Sequence, residues 1–294
     1  MAGENLAGAL RHDLEHWYRK QAGLQDAQLT TIQTPSSGMV NETYIHTVTF
    51  TNNGEAKALT AVLRVQPATD DTPIPNVNVI QQARVLAKLK TIGGLKTPGV
   101  HWQEPDKQWL GRAFYVMEYL PGTALFDTGE VPDNVAIVRS LYEQTIAMLS
   151  RIHAVDWQRA GLEQDLGLSS SETPLRSSLA NFRSHLDDAS RQKKYPLLEA
   201  ALGWLDEHAP LESSPVLNWG DARPGNLLFE NGELSAVLDW EIAEITAREV
   251  DMGWFLFFER FLRDNGTDVR PGAMSDDEIL TFYEQSSGVK LQRE

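Results

Sequence analysis

Val216-Leu-Asn-Trp-Gly-Asp-Ala-Arg-Pro-Gly-Asn-Leu-Leu-Phe-Glu-Asn-Gly-Glu-Leu-Ser-Ala-Val-Leu-Asp-Trp-Glu241 carries two apolar segments around one tight-turn signal. The Asn231-Gly232 step is that signal, because a two-residue hairpin turn of this kind needs positive φ at both positions. It predicts that Leu227–Glu230 folds back on Glu233–Leu238, with Leu228 opposite Ser235 and Asn226 opposite Val237. Asn226 then opens the first strand and Asp239 closes the second, at the same end of the hairpin. The two are offset by two residues, roughly 7 Å along the strand. An amide carbonyl and a carboxylate converge there, and hard oxygen donors suit Mg²⁺, which completes its shell with phosphate and water.

Asp221 precedes Asn226 by five residues, with Pro224-Gly225 forcing a tight loop between them. A carboxylate there faces the metal position from the other side and can take the proton of an attacking hydroxyl. This order matches the kinase catalytic loop, with Asp as base and an Asn and a later Asp on metal. A bare D-x-x-x-x-N carries no weight, and the competing reading is a surface hairpin with Asn and Asp as turn residues. The combination of apolar strand, Gly-Asp, five-residue step, hairpin, second strand and Asp argues against that reading. The expectation is that 221, 226 and 239 gather around a shared cavity between two lobes.

Outward from this stretch, the N-terminal part has a different texture. Leu6, Leu10, Leu14 and Trp17 stand at helical spacing. Thr30–Pro35, Val40–Phe50 and Ala58–Val65 are rich in Thr, Val, Ile and aromatics, and Asn53-Gly54 marks a second hairpin. Residues 30–66 therefore predict three antiparallel strands. Residues 76–90 predict a helix, and 100–104 and 113–120 two further strands. Pro121-Gly122 stops regular structure. Beyond it helices are expected at 131–153, 175–192, 196–208, 249–264 and 275–287, around a β island at 216–219, 227–229 and 234–240. The order predicts an α+β fold of two lobes. The first, at 1–120, is a small antiparallel sheet with one helix. The second, at 121–294, is mainly helical and carries the hairpin with the expected base and metal ligands.

Composition narrows the classes. The 294 residues contain no cysteine, which removes disulfides, zinc-thiolate sites and thiol nucleophiles. A net charge of −15 argues against nucleic acid, whose phosphates demand a basic face. The N-terminus gains charge too early for a signal peptide, and Trp254–Phe258 is far shorter than a membrane span. A soluble, cytoplasmic protein is expected, with no membrane partner. The spread of charge reads first as solubility, although it would also draw a cationic substrate. No G-x-S-x-G or H-E-x-x-H pattern occurs. His153 reads as a capping or packing residue, Trp254–Phe258 as core, and Glu241 as support behind the metal ligands.

The chain resembles the aminoglycoside phosphotransferase family, related to choline kinases and more remotely to protein kinases. Asn218-Trp-Gly-Asp221 stands where that family usually reads His-Gly-Asp, and Leu238-Asp-Trp-Glu241 is close to its second metal motif. Arg248-Glu-Val-Asp-Met-Gly-Trp254 looks like its following segment. The chain is similar to the branch that includes kinase-like domains attached to some acyl-CoA dehydrogenases. That likeness rests on Ser37-Gly-Met-Val-Asn41, Val62-Leu-Arg64, Arg84-Val-Leu86, Phe114–Gly122 and Ile152-His-Ala-Val-Asp156. It runs from about residue 28 to about 290.

The resemblance implies transfer of the γ-phosphate of ATP or GTP to a hydroxyl of a small molecule, with Mg²⁺. It implies a protein-kinase-like fold in which the 1–120 lobe covers the nucleotide and the 121–294 lobe supplies the acceptor-binding helices, with Ser36–Asn41 over the phosphates, Gly38 and Asn41 among them. Glu118 and Leu120 would hold the adenine edge through their backbones, and Arg64 would take the place of a phosphate-binding Lys. Gln82 stands where a partnering Glu is usual, so it can accept from Arg64 but offers no charge. Arg64 keeps a permanent charge and can fork onto phosphate. Relatives usually continue past the helix ending near Gly288. A second reading is therefore a catalytically weak kinase-like binder of nucleotide or ligand. A third is a hydrolase using Asp221 and Asp239, which Asn226 fits less well. The acceptor stays open between a polycationic aminoglycoside and a hydroxy acid or acyl compound.

Overall fold

The computed structural model describes residues 2–34, 42–68, 78–124, 132–166, 173–191, 193–209, 214–264 and 270–292. The chain divides into two compact units, one of Met1–Thr91 with Thr97–Leu120, the other of Ile92–Lys96 with Pro121–Glu294.

The first unit opens with helix α1 (Ala2–Lys20), followed by strands β1 (Gln28–Gln33), β2 (Glu42–Asn52) and β3 (Glu55–Val65). Helix α2 (Val79–Ile92) and strands β4 (Val100–Glu104) and β5 (Phe114–Glu118) complete it. All neighbours in the five-stranded sheet are antiparallel, in the order β1-β2-β3-β5-β4. The β2–β3 turn is the expected one: Asn53 and Gly54 take φ of 53° and 81° between the paired Asn52 and Glu55. The apolar stripe of α1 supplies Leu14, Trp17 and Tyr18, which pack with Leu29, Val48, Ala61, Leu63, Phe114 and Val116. Polar side chains enter this core in hydrogen-bonded pairs, with His46 Nδ1 left without a partner. Trp17 Nε1 donates to Glu104 at 3.0 Å, and the Tyr18 hydroxyl meets His46 Nε2 at 2.6 Å. This unit thus holds α1 as well as the helix expected between its strands.

The second unit carries helices α3 (Val135–His153), α4 (Pro174–Ala189), α5 (Pro196–His208), α6 (Arg248–Asp264) and α7 (Asp276–Ser287). Helix α3 starts at its Asn134 cap, whose side chain accepts from Ala136 and Ile137 N–H groups, and not at Val131, which lies outside the described residues. Val138, Leu141, Tyr142, Ile146, Leu149 and Ile152 form its buried face. Helix α7 has a capping box, Ser275 with Glu278, and stops at Gly288, where φ is 71°. Between α5 and α6 lie strands β6 (Val216–Asn218), β7 (Leu227–Glu230), β8 (Glu233–Val237) and β9 (Glu244–Thr246). They form two antiparallel pairs, β6 with β9 and β7 with β8. The three-residue β9 is too short to leave a periodic signal, and the sequence reading missed it.

The β7–β8 register differs from the expected one. Leu227 pairs with Val237 and Leu228 with Ala236, then the ladder shifts so that Phe229 meets Leu234. Ser235 is the extra residue of a β-bulge, its hydroxyl donating to the Pro121 carbonyl at 2.6 Å. The Asn226 carbonyl accepts from Leu238 N–H at 2.9 Å, so Asn226 lies opposite Leu238 and not Val237. The bulge reduces the offset between Asn226 and Asp239 from two residues to one.

Candidate active site

Strand β6 leads into the loop that carries Asp221. Asn218, with no exposed surface, donates to the carbonyls of Val216 and Thr246 and accepts from Asp251 N–H at 3.1 Å. Asp251, equally buried, accepts from Trp219 N–H at 2.7 Å and Gly220 N–H at 2.8 Å, one on each oxygen. His153 Nε2 donates to the same carboxylate at 3.1 Å, and its Nδ1 meets the Tyr283 hydroxyl at 2.6 Å. His153 is therefore a buried packing residue, as its sequence context suggests. Gly220 takes φ of 91°, and a Cβ there would stand 2.2 Å from the Ile242 carbonyl oxygen. Only glycine fits this bend.

Asp221 follows at once. Its Oδ2 accepts from Asn226 Nδ2 at 2.5 Å and from Arg223 Nε at 3.1 Å. Its Oδ1 accepts from Trp254 Nε1 at 2.9 Å. The 3₁₀ turn Pro224–Asn226 makes the five-residue step possible, closed by Asn226 N–H on the Arg223 carbonyl at 3.1 Å. Asn226 is buried, and its amide nitrogen also donates to the Asp221 carbonyl at 3.1 Å. That commits the nitrogen to Asp221 and leaves the amide oxygen as the other end of the side chain.

Asp239 ends the β8 segment in the left-handed region, with φ of 55°. Asp is one of the few side chains that tolerate it, and such conformations gather at functional sites. Its neighbours are pinned: Trp219 Nε1 donates to the Leu238 carbonyl at 2.7 Å, and Trp240 is buried with its indole N–H on Val237 at 3.1 Å. Among the described residues no three His, Cys, Asp or Glu cluster as a metal site. A cation here would rest on one amide oxygen and one carboxylate. That donor set fits Mg²⁺ carried by a nucleotide, whose phosphate oxygens supply the rest of the shell.

The first unit holds the other expected residues. Arg64, half-buried on β3, pairs with Thr43 and Tyr115 in the ladder. Gln82 is buried on α2, with its amide nitrogen lacking a hydrogen-bond partner. The Glu118 carboxylate accepts from Lys90 Nζ at 2.8 Å and Gly99 N–H at 3.0 Å, and its own N–H donates to Gly99 at 2.7 Å. Burial pushes this carboxyl up, but the bonds from Lys90 and Gly99 outweigh it and hold it below the usual range. Leu120 is half-buried, and Gly38 and Asn41 lie outside the described residues.

Sequence reading missed Asp251, Arg223 and Trp254 as parts of the site. Asp251 and Trp254 stand three apart at the start of α6, one face of a helix, which is the signal that was present. The expectation that Trp254–Phe258 is core holds for Phe255, but Trp254 is 36% and Phe257 56% exposed.

A model described as "Phosphotransferase enzyme family" matches residues 31–279. Among curated proteins, the chain is 29% identical over 188 residues to mouse acyl-CoA dehydrogenase family member 10, covering 63% of this chain and 17% of that one. It is 25% identical over 240 residues to human acyl-CoA dehydrogenase family member 11, covering 78% and 30%. The aligned part thus spans less than a third of these relatives. A solved protein from Ralstonia eutropha, classed with the aminoglycoside phosphotransferases, superposes with a TM-score of 0.71 at 21% identity, covering 96% of this chain and 81% of the other. A streptomycin–ATP–APH(2″)-IIa ternary complex gives 0.57 at 15%, covering 94% and 86%. The fold is the kinase-like one of these proteins, no helix among the described residues is long and apolar enough to cross a membrane, and the chain belongs to the phosphotransferase enzyme family.

Proposed function

We propose that the protein is a small-molecule kinase that moves the γ-phosphoryl group of ATP or GTP to a hydroxyl, with Asp221 as base. The observation that carries this reading is the 2.5 Å contact between Asp221 and Asn226, made beside the left-handed Asp239. In the step, the acceptor oxygen bonds to the γ-phosphorus as the bond to the β–γ bridging oxygen breaks. The hydroxyl proton passes to Asp221, and a nucleoside diphosphate leaves. Asn226 and Asp239 would hold Mg²⁺, which when bound neutralises charge on the phosphate oxygens. Arg64, Gln82, Gly38, Asn41 and the backbones of Glu118 and Leu120 are proposed as the nucleotide contacts. The first unit would cover the nucleotide, and the second would supply chemistry and acceptor binding.

A screen for ATP and GTP consumption with hydroxyl compounds tests this, aminoglycosides, macrolides and hydroxy acids included. Turnover abolished in Asp221→Ala supports it. The second reading, a kinase-like binder with weak transfer, is favoured by Gln82, whose buried amide lacks a partner. Stabilisation by Mg·ATP with no turnover on any hydroxyl compound would select that reading. Hydrolysis of a substrate without nucleotide would refute both.

A further inference from the structure

Asp221 carries an asymmetry that the base assignment leaves unused. A carboxylate offers about four lone-pair positions, two on each oxygen. Among the described residues three side-chain donors meet it: Asn226 and Arg223 on Oδ2, Trp254 on Oδ1. Oδ2 is therefore filled, and the open position lies on Oδ1, the oxygen that the indole holds. Trp254 is itself fixed. It stands one helical turn after Asp251, which grips the backbone of Trp219 and Gly220. Its ring packs edge-on against Phe258 at 5.2 Å, and Phe258 also lies under the Arg223 guanidinium at 5.9 Å. One face of α6 thus places the backbone of the loop, one donor directly and a second donor through an aromatic ring.

We infer that Trp254 is a positioning residue for phosphoryl transfer: its indole N–H turns the Asp221 carboxylate so that Oδ1 receives the proton of the acceptor hydroxyl. The inference rests on Asp221 as base. The acceptor O–H bond breaks as the Oδ1–H bond forms, while the indole keeps its own proton throughout. Loss of the indole N–H lets the carboxylate rotate about its terminal bond, and misplacement of a reacting atom by about 1 Å costs up to a hundredfold in rate. The indole N–H meets Asp221 and none of the proposed nucleotide contacts, so nucleotide affinity is expected to stay the same when it is removed.

Trp254→Phe keeps the ring and removes the donor, and because the residue is 36% exposed the fold tolerates the change. The first readout is the Trp254 indole N–H in nuclear magnetic resonance, assigned by its disappearance in Trp254→Phe. Its exchange with solvent is expected to quicken about tenfold in Asp221→Ala, as a lost hydrogen bond requires. Equal exchange in the two proteins overturns the inference. The second readout is ADP formation from Mg·ATP, with water or a screened hydroxyl compound as acceptor. Trp254→Phe is expected to lower its maximal rate about tenfold to a hundredfold, with the KM for Mg·ATP and the melting temperature unchanged. Full rate in Trp254→Phe alongside loss in Asp221→Ala overturns the inference and leaves Asp221 as base. Full rate in Asp221→Ala overturns the kinase reading itself, while the exchange result still decides whether the indole holds the carboxylate.

Discussion

A buried carboxylate that accepts from two backbone N–H groups and an imidazole cannot become an amide without turning one donor toward another. Asp251 is such a group. Asp251→Asn is expected to cost about 3 kcal/mol, the scale of breaking a buried, hydrogen-bonded charge, and to slow turnover by loosening the loop before Asp221. Urea unfolding checks the first part, and an unchanged midpoint would show that these contacts do not hold the fold. His46 gives a pH-dependent counterpart in the first unit. Burial pushes its pKa from 6.5 down to about 4, so the native state disfavours the imidazolium. The unfolded chain then binds more protons below its own pKa. The stability from neutral His46 is complete above about pH 6.5 and is lost as pH falls toward 4, a loss of about 3 kcal/mol at most. Unfolding midpoints at pH 7.5, 6 and 5 should fall in that order, and less steeply in His46→Leu. At this scale the contact of Asn226 with Asp221 was legible because a local turn joins them, as was the hairpin that leads to Asp239. Asp251 and Trp254 were not, since their contacts depend on where α6 lands, some thirty residues beyond the loop; Arg223 lies two residues from Asp221 but belongs to no motif that marks it.

Elements with a long period were read well, and those without one were not. Helices α3 and α6 and the Asn-Gly hairpins follow from spacing and from positive φ, both local properties. The Ser235 bulge has no such mark, because only tertiary contacts such as the one to Pro121 reveal it. The same holds for β9, which exists because β6 needs a partner. That strand brings Glu244 against α4, where the Ser178 hydroxyl donates to its carboxylate at 3.0 Å. Burial, opposed by the Ser178 bond and aided by Asp251, raises the Glu244 pKa from 4.5 to about 7. The folded state thus favours the neutral acid, and its contribution is complete below about pH 4.5 and lost as pH rises through 7. Glu244→Gln keeps an acceptor for Ser178 without the charge. It is expected to raise the melting temperature at pH 8 by a few degrees and to leave it nearly unchanged at pH 5. An equal change at both values would show that packing between α4 and β9, and not ionisation, governs this contact.

The whole chain carries a net charge of −15 and a sequence pI near 4.9, and this charge acts on any acceptor before contact. The sequence shows that charge but not what it meets, because no motif in it names an acceptor. Salt separates the possibilities. Screening shortens from about 30 Å at 10 mM to about 10 Å at 100 mM ionic strength. If the acceptor is a polycation, the field of the acidic chain concentrates it, and its KM should rise about tenfold or more between these conditions with little change in maximal rate. A neutral hydroxyl compound should keep its KM within about twofold, because no long-range attraction is lost. A hydroxy acid should show the opposite sign, its KM falling as salt hides the repulsion. Mg·ATP, itself anionic, serves as the internal standard, since its KM should fall with salt in every case. An acceptor KM that moves in parallel with the nucleotide's would remove the polycationic class and direct the search to anionic hydroxyl compounds.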